Sequence, residues 1–119
     1  MNKQLMPGLV SLFAALTPLH LSAAEEEQGD AKRGKQLFVE NGCWKCHGYN
    51  AQGAGVFGPR IGPNVFPWLG VKIYVRAPAG DMPAYSQKVL SDKDLLDIWT
   101  FFNTVPAAPP VKSIAILND

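Results

Sequence analysis

The apolar positions of this chain are spaced for helices, and Gly and Pro cut them into short pieces. The clearest stripe is Leu95, Ile98, Trp99 and Phe102, at i, i+3, i+4 and i+7, which is one face of a helix. It predicts a helix from Asp92 to about Asn103. Ser91 followed three residues later by Asp94 resembles a capping box with Asp in place of Glu, and Asp92, Asp94 and Asp97 suit the positive end of a helix. Pro106 stops it near Thr104, because the residue before a proline is pushed out of helical backbone. An earlier helix is predicted from Ala31 to about Glu40, capped by Asp30, with Leu37 and Phe38 as its main apolar residues and Asn41-Gly42 as its stop. Pro67 at a first helical position opens a third, through Trp68 to about Arg76. No stretch alternates as a strand would.

Between these helices the chain carries Gly53, Gly55, Gly58, Pro59, Gly62, Pro63 and Pro67, a composition that excludes regular helix or central strand. The same stretch holds Val56, Phe57, Ile61, Val65 and Phe66, more apolar surface than a solvated linker needs. A loop of this length in a compact domain is usually functional, and this one is expected to wrap around something. A second turn-rich loop, Ala79-Gly80-Asp81-Met82-Pro83-Ala84-Tyr85, precedes the last helix. Three short helices alone make a thin core, and a chain this small often needs a staple to supplement it.

The N-terminus has the pattern of a secretory signal peptide. Lys3 supplies the positive charge, an apolar stretch runs from about Leu9 to Leu21, and Ser22-Ala23-Ala24 offers small residues for cleavage near Ala24. Pro7, Gly8, Thr17, Pro18 and His20 interrupt the roughly 20 apolar residues that a membrane span needs. The expected organisation is a signal peptide over 1–24, one domain over 25–104 and a Pro-rich arm over 105–119, without a membrane span after processing. The chain has 11 basic and 10 acidic residues, and Lys3 is the one charge in 1–24, so the processed chain is formally neutral. No basic stripe suggests nucleic acid.

The candidate chemistry lies at Cys43-Trp44-Lys45-Cys46-His47. This is C-x-x-C-H, the attachment pattern of a c-type haem. Two thiols at this spacing bond to the two vinyl groups of one porphyrin, and the following histidine is held against the iron. Three other readings compete. Zinc needs at least three protein ligands, and the chain has two Cys and two His, one of which is His20 in the signal segment. A thioredoxin-like C-x-x-C needs strand–helix–strand surroundings. A plain Cys43–Cys46 disulfide leaves His47 unexplained.

With 1–24 removed, Met82 is the one methionine left to face the iron opposite His47, and its Pro-bounded loop suits rigid presentation. Methionine opposite histidine raises a haem potential and fits electron transfer. Met82 as a filler of a core gap, Lys88 as the ligand, and an open sixth site remain as alternatives. Arg60, Trp68 and Arg76 are candidates for the haem carboxylates, through charge-assisted bonds or an indole N–H. Tyr49 and Tyr85 are read as pocket wall.

These motifs resemble class I, mitochondrial-type monohaem cytochromes c over nearly all of the processed chain. The resemblance rests on Gly34-x-x-x-Phe38, on Cys43, Cys46 and His47, on Gly58-Pro59 and on Met82-Pro83. Phe38 lies one residue further from Cys43 than the family pattern, an insertion around Asn41-Gly42. The resemblance implies an all-α cytochrome c fold, three to four short helices and Gly/Pro-rich loops around one covalently bound haem c. It also implies that the Pro59 carbonyl accepts a hydrogen bond from His47, that His47 and Met82 are the axial ligands, and that Trp99 packs against Gly34 and Phe38. The region from Arg76 to Tyr85 and the apolar arm, with Ile114, Ile116 and Leu117, are similar to small cytochrome subunits of p-cresol methylhydroxylase and eugenol hydroxylase type flavocytochromes. The function so implied is periplasmic electron transfer, between a partner such as a flavin-containing dehydrogenase subunit and a downstream carrier. The protein would then be a carrier rather than an enzyme, or the cytochrome subunit of an oxidoreductase complex. The competing function is a peroxidase-like or gas-binding haem protein with an open sixth site.

Overall fold

The computed structural model describes residues 28–63 and 66–117. The signal segment and Val65 lie outside the described residues. Four helices follow in order: α1 Ala31–Glu40, α2 Trp44–His47, α3 Trp68–Arg76 and α4 Asp92–Thr104. Single 3-10 turns form at Gly55–Phe57, Val111–Ser113 and Ala115–Leu117. There is no strand among the described residues, and the fold is all-α as expected.

Local chemistry sets the helix ends. The Asp30 carboxylate accepts the N–H groups of Lys32 and Arg33 at 2.8 and 3.0 Å, filling donors that have no partner within α1. Asn41 closes α1 by donating both its backbone N–H and its side-chain amide to the Leu37 carbonyl, at 2.9 and 2.8 Å. The Ser91 hydroxyl accepts from the Asp94 N–H at 3.1 Å and opens α4. Pro67 sits one position earlier than expected. Its ψ of 153° is extended, so it caps α3 and the helix proper starts at Trp68.

The core forms where α1 crosses α4. A Cβ on Gly34 would stand 1.9 Å from the Asp97 carbonyl oxygen and 2.8 Å from the Ile98 nitrogen. Only glycine lets the two backbones lie this close. One turn further along α1, the fully buried Phe38 ring meets Phe101 at 5.5 Å, tilted, and Phe102 at 5.8 Å, edge to face, both favourable aromatic geometries. The rings against Phe38 are therefore Phe101 and Phe102. Trp99, expected there, turns to the rim of the core, pairs with Trp68 at 6.1 Å and donates its indole N–H to the Phe66 carbonyl at 3.1 Å. The resemblance put Trp99 there; of the stripe's aromatic residues it is Phe102 that meets Phe38, with its neighbour Phe101 beside it. Val75, Leu90, Leu95, Ile98 and Val105 complete the core.

Asp97 is the one buried charged residue among those described. Its carboxylate accepts the Asp30 N–H at 2.8 Å and pairs with Lys93 at 2.6 Å and with Arg33. Arg33 also pairs with Asp94. The start of α1 is thus tied to the first turns of α4. Burial pushes the Asp97 carboxyl up, but Lys93, the Asp30 N–H and Arg33 outweigh it, and the carboxyl lies below its ordinary value. The Ser91 bonds and Arg33 likewise lower Asp94 against the opposing effect of burial.

Three outcomes follow for the haem-loaded protein. Gly34→Ala forces the helices apart and lowers the unfolding free energy by on the order of 3 kcal/mol, an overpacking cost, measured by chemical denaturation. Asp97 and Asp94 hold protons more weakly folded than unfolded, so their stabilisation is complete above the ordinary carboxylate pKa of about 4. It is lost as pH falls through their lower folded values. The denaturation midpoint should stay level from about pH 7 to 5 and then drop. Asp97→Asn should be less stable at neutral pH by on the order of 2 kcal/mol and show a shallower acid drop.

Candidate cofactor site

The chain reaches the C-x-x-C-H stretch through Gly42, whose φ of 74° turns it out of α1. The stretch then winds into the single turn of α2. His47 N–H donates to the Cys43 carbonyl at 3.1 Å and Gly48 N–H to the Trp44 carbonyl at 2.9 Å. The sequence pattern marks no helix here, since four residues carry no periodicity. The turn matters chemically, because positions i, i+3 and i+4 share one helix face, and these are Cys43, Cys46 and His47. Both cysteines are free thiols and half-buried. Burial pushes the Cys43 thiol up, so at neutral pH it is a protonated thiol rather than a thiolate nucleophile. Neither the disulfide nor the thioredoxin-like reading matches this arrangement. No group of three His, Cys, Asp or Glu side chains among the described residues is placed to hold a metal ion.

The Gly/Pro-rich loop folds back onto α2. Gly53 N–H donates to the His47 carbonyl at 2.7 Å, and Ile61 and Gly62 N–H both reach the Ala51 carbonyl, at 3.0 and 3.1 Å. Gly58 lies so close that an added Cβ would stand 2.4 Å from the Cys46 carbonyl oxygen. This contact delivers the next residue to the imidazole, and His47 Nδ1 lies 2.9 Å from the Pro59 carbonyl oxygen. The hydrogen bond that the resemblance implies is present. A carbonyl oxygen only accepts, so Nδ1 carries the proton and donates, and in the neutral tautomer so selected Nε2 is the nitrogen with a lone pair for another partner.

The other predicted residues divide. Cys43, Trp68, Met82 and Tyr85 are half-buried and pack against the same core. Arg60 donates one guanidinium N–H to the Pro106 carbonyl at the root of the arm. Arg76 donates to the Tyr85 carbonyl at 2.8 Å and to Asp92 at 2.7 Å. Both guanidinium groups keep a buried Nε with no protein partner. Sequence reasoning left Tyr85 as pocket wall. Its hydroxyl donates to the Asn41 carbonyl at 2.8 Å and its N–H to the Val75 carbonyl at 3.0 Å. No sequence signal marks such contacts, because one partner is 44 residues away and both acceptors are backbone.

These residues suit a covalently attached porphyrin. Two free thiols share a helix face with an imidazole held by a backbone carbonyl, and two buried N–H donors have no protein acceptor, as groups meant for carboxylates would. Fold and residues together define a cytochrome c domain. Residues 29–102 match the family described as cytochrome C oxidase, cbb3-type, subunit III, and the chain belongs to that family. Cytochrome bc1 complex cytochrome c subunits of Mycobacterium bovis and Mycobacterium tuberculosis are 37% identical over 75 residues, which is 61% of this chain and 25% of theirs. The Mycobacterium leprae counterpart has the same identity over 24% of its length. The chain spans about a quarter of the length of the curated relatives it matches. No solved structure matches. The protein is an electron-transfer c-type cytochrome, and its cofactor is haem c.

The seat of Pro59 on α2 is open to test. Gly58→Ala in the haem-loaded protein should lower the unfolding free energy by about 1–3 kcal/mol, measured by chemical denaturation, because its methyl group meets backbone that cannot move aside without shifting Pro59.

Proposed function

We propose that the protein is an exported, periplasmic one-electron carrier with His47 and Met82 as axial ligands and Cys43 and Cys46 as the covalent attachment points. The observation that carries this reading is the His47–Pro59 hydrogen bond at 2.9 Å. It orients an imidazole beside two free thiols and selects the tautomer that leaves Nε2 available, which is how a ligating histidine is usually held. Haem c, when bound, supplies a one-electron couple. The residues do the rest. The two thiols fix the group to α2, Pro59 holds the His47 ring, and Met82 offers a neutral thioether from the opposite loop. Trp68 and the unpartnered Nε groups of Arg60 and Arg76 suit the haem carboxylates. His47 and Met82 together would hold the iron and leave no position open to a substrate, which separates this reading from a peroxidase-like or gas-binding protein.

The donor is a redox partner protein. The resemblance of the Arg76 to Tyr85 region and the arm to flavocytochrome subunits, read from the sequence alone, is the basis for naming a flavin-containing dehydrogenase subunit as that partner. The mycobacterial relatives are named as subunits of a bc1 complex, so a membrane respiratory complex is the competing partner. No helix among the described residues is long and apolar enough to cross a membrane. Co-purification from the native host with a flavoprotein supports the first partner, and recovery with membrane complexes supports the second.

Expression with the leader intact should yield a periplasmic protein beginning at Glu25, with one haem per chain by pyridine haemochrome. The ferric spectrum should show the weak red band of methionine–iron ligation. Met82→Ala should keep its haem and lower the potential by on the order of 0.1 V, a fraction of the roughly 0.8 V that axial ligands control. A high-spin ferric spectrum with ready CO binding in the wild type would overturn the carrier reading.

A further inference from the structure

The loop that carries Met82 runs irregularly from the end of α3 to the start of α4. Its fastening point is three residues beyond the methionine, at Tyr85, and it is made three times over. The Tyr85 N–H donates to the Val75 carbonyl at 3.0 Å, its carbonyl accepts Arg76 Nη1 at 2.8 Å, and its hydroxyl donates to the Asn41 carbonyl at 2.8 Å. The other arm of the Arg76 guanidinium is held by Asp92 Oδ1 at 2.7 Å. Asp92 is the first residue of α4 and takes Lys72 at 2.6 Å and Gln87 at 3.0 Å on its second oxygen. The Asn41 carbonyl belongs to the turn two residues before Cys43, in the insertion that lengthens the path from Phe38 to the first cysteine. One tyrosine therefore joins the Met82 loop to both neighbouring helices and to the segment that carries the two thiols and His47.

We infer that Tyr85, held by the Arg76–Asp92 pair, is a positioning residue that keeps Met82 on the iron. The inference rests on the reading of Met82 as the axial ligand. A thioether is a weak, neutral ligand, and its occupancy depends on how rarely the loop swings away. The segment from 78 to 84 contains Gly80 at a φ of 67°, a backbone state with little side-chain restraint. Anchoring it immediately downstream raises the cost of the open state by the bonds that must break. A net hydrogen bond is worth a factor of roughly five to ten in that equilibrium. Burial also pushes the Tyr85 phenol up, so the hydroxyl keeps the proton it donates.

The test uses the ferric, haem-loaded protein and imidazole, a small neutral ligand that competes with Met82 for the iron. Loss of the methionine–iron band on titration gives the affinity. Tyr85→Phe removes one hydroxyl and no ring volume and should bind imidazole roughly five- to tenfold more tightly than wild type. Arg76→Lys keeps the charge but not the two-armed bridge and should shift in the same direction. Ser113→Ala, which removes a hydroxyl bond to the Pro110 carbonyl in the arm, should leave the affinity unchanged. The denaturation midpoint is read on each variant. A loss of global stability in Tyr85→Phe and Arg76→Lys, with imidazole affinity within about twofold of wild type, overturns the positioning role and leaves Met82 as the ligand. A wild-type spectrum without the methionine–iron band refutes the ligand assignment, and the positioning role falls with it.

Discussion

Everything in this small domain is referred to one close approach, the crossing of α1 over α4 at Gly34. No side chain separates the helices there, and the Asp97 backbone lies where a methyl group would be. The approach lets Phe38 reach between Phe101 and Phe102, and it requires the polar groups around it to be satisfied. Asp97 meets that requirement by taking the Asp30 N–H and two cationic side chains on a fully buried carboxylate. A buried charge is tolerated when it is paired and hydrogen-bonded, and this one also sets the register of the two helices.

The site is arranged around that crossing. The C-terminal turn of α1 leads directly into the first cysteine, so the angle of α1 aims α2. The N-terminus of α4 supplies Asp92, which steadies Arg76 and through it the Met82 loop. The residue after α4, Val105, is buried and lies against Gly62, where an added Cβ would stand 2.6 Å from its own Cβ. The loop ending near Pro59 is thereby covered from behind. A helix pair far from the chemistry thus reaches all of its parts within one or two covalent steps.

The two sides of the proposed iron site are held by different means. His47 is fixed by its own ring, through one hydrogen bond to a backbone carbonyl, and by a helical turn beneath it. Met82 has no polar atom to fix, so its loop backbone is fixed instead, at a neighbouring tyrosine. Such preorganisation suits an electron carrier, whose ligands should move little as its charge changes.

Periodicity and punctuation were enough to place α1, α3 and α4, because their signals are local: a capping side chain, an i+3/i+4 stripe, a proline or glycine at the end. The attachment motif was equally legible, since its chemistry depends on five adjacent residues. The Pro59 carbonyl could be named only by resemblance, because a backbone acceptor has no signature of its own. What remained hidden depends on partners distant along the chain. The apolar stripe included Phe102 but not Phe101, its companion against Phe38, and the resemblance put Trp99 there instead. The pattern gave Tyr85 no polar role and held no sign that Arg60 also meets the Pro106 carbonyl of the arm. The sequence by itself determined α1, α3 and α4, the C-x-x-C-H motif and which residues are candidates to hold a haem, all short-range properties of residue type and spacing. Only the tertiary structure decided which backbone carbonyls His47, Tyr85 and Arg60 meet, because a carbonyl is the same at every residue and only folding makes one of them near.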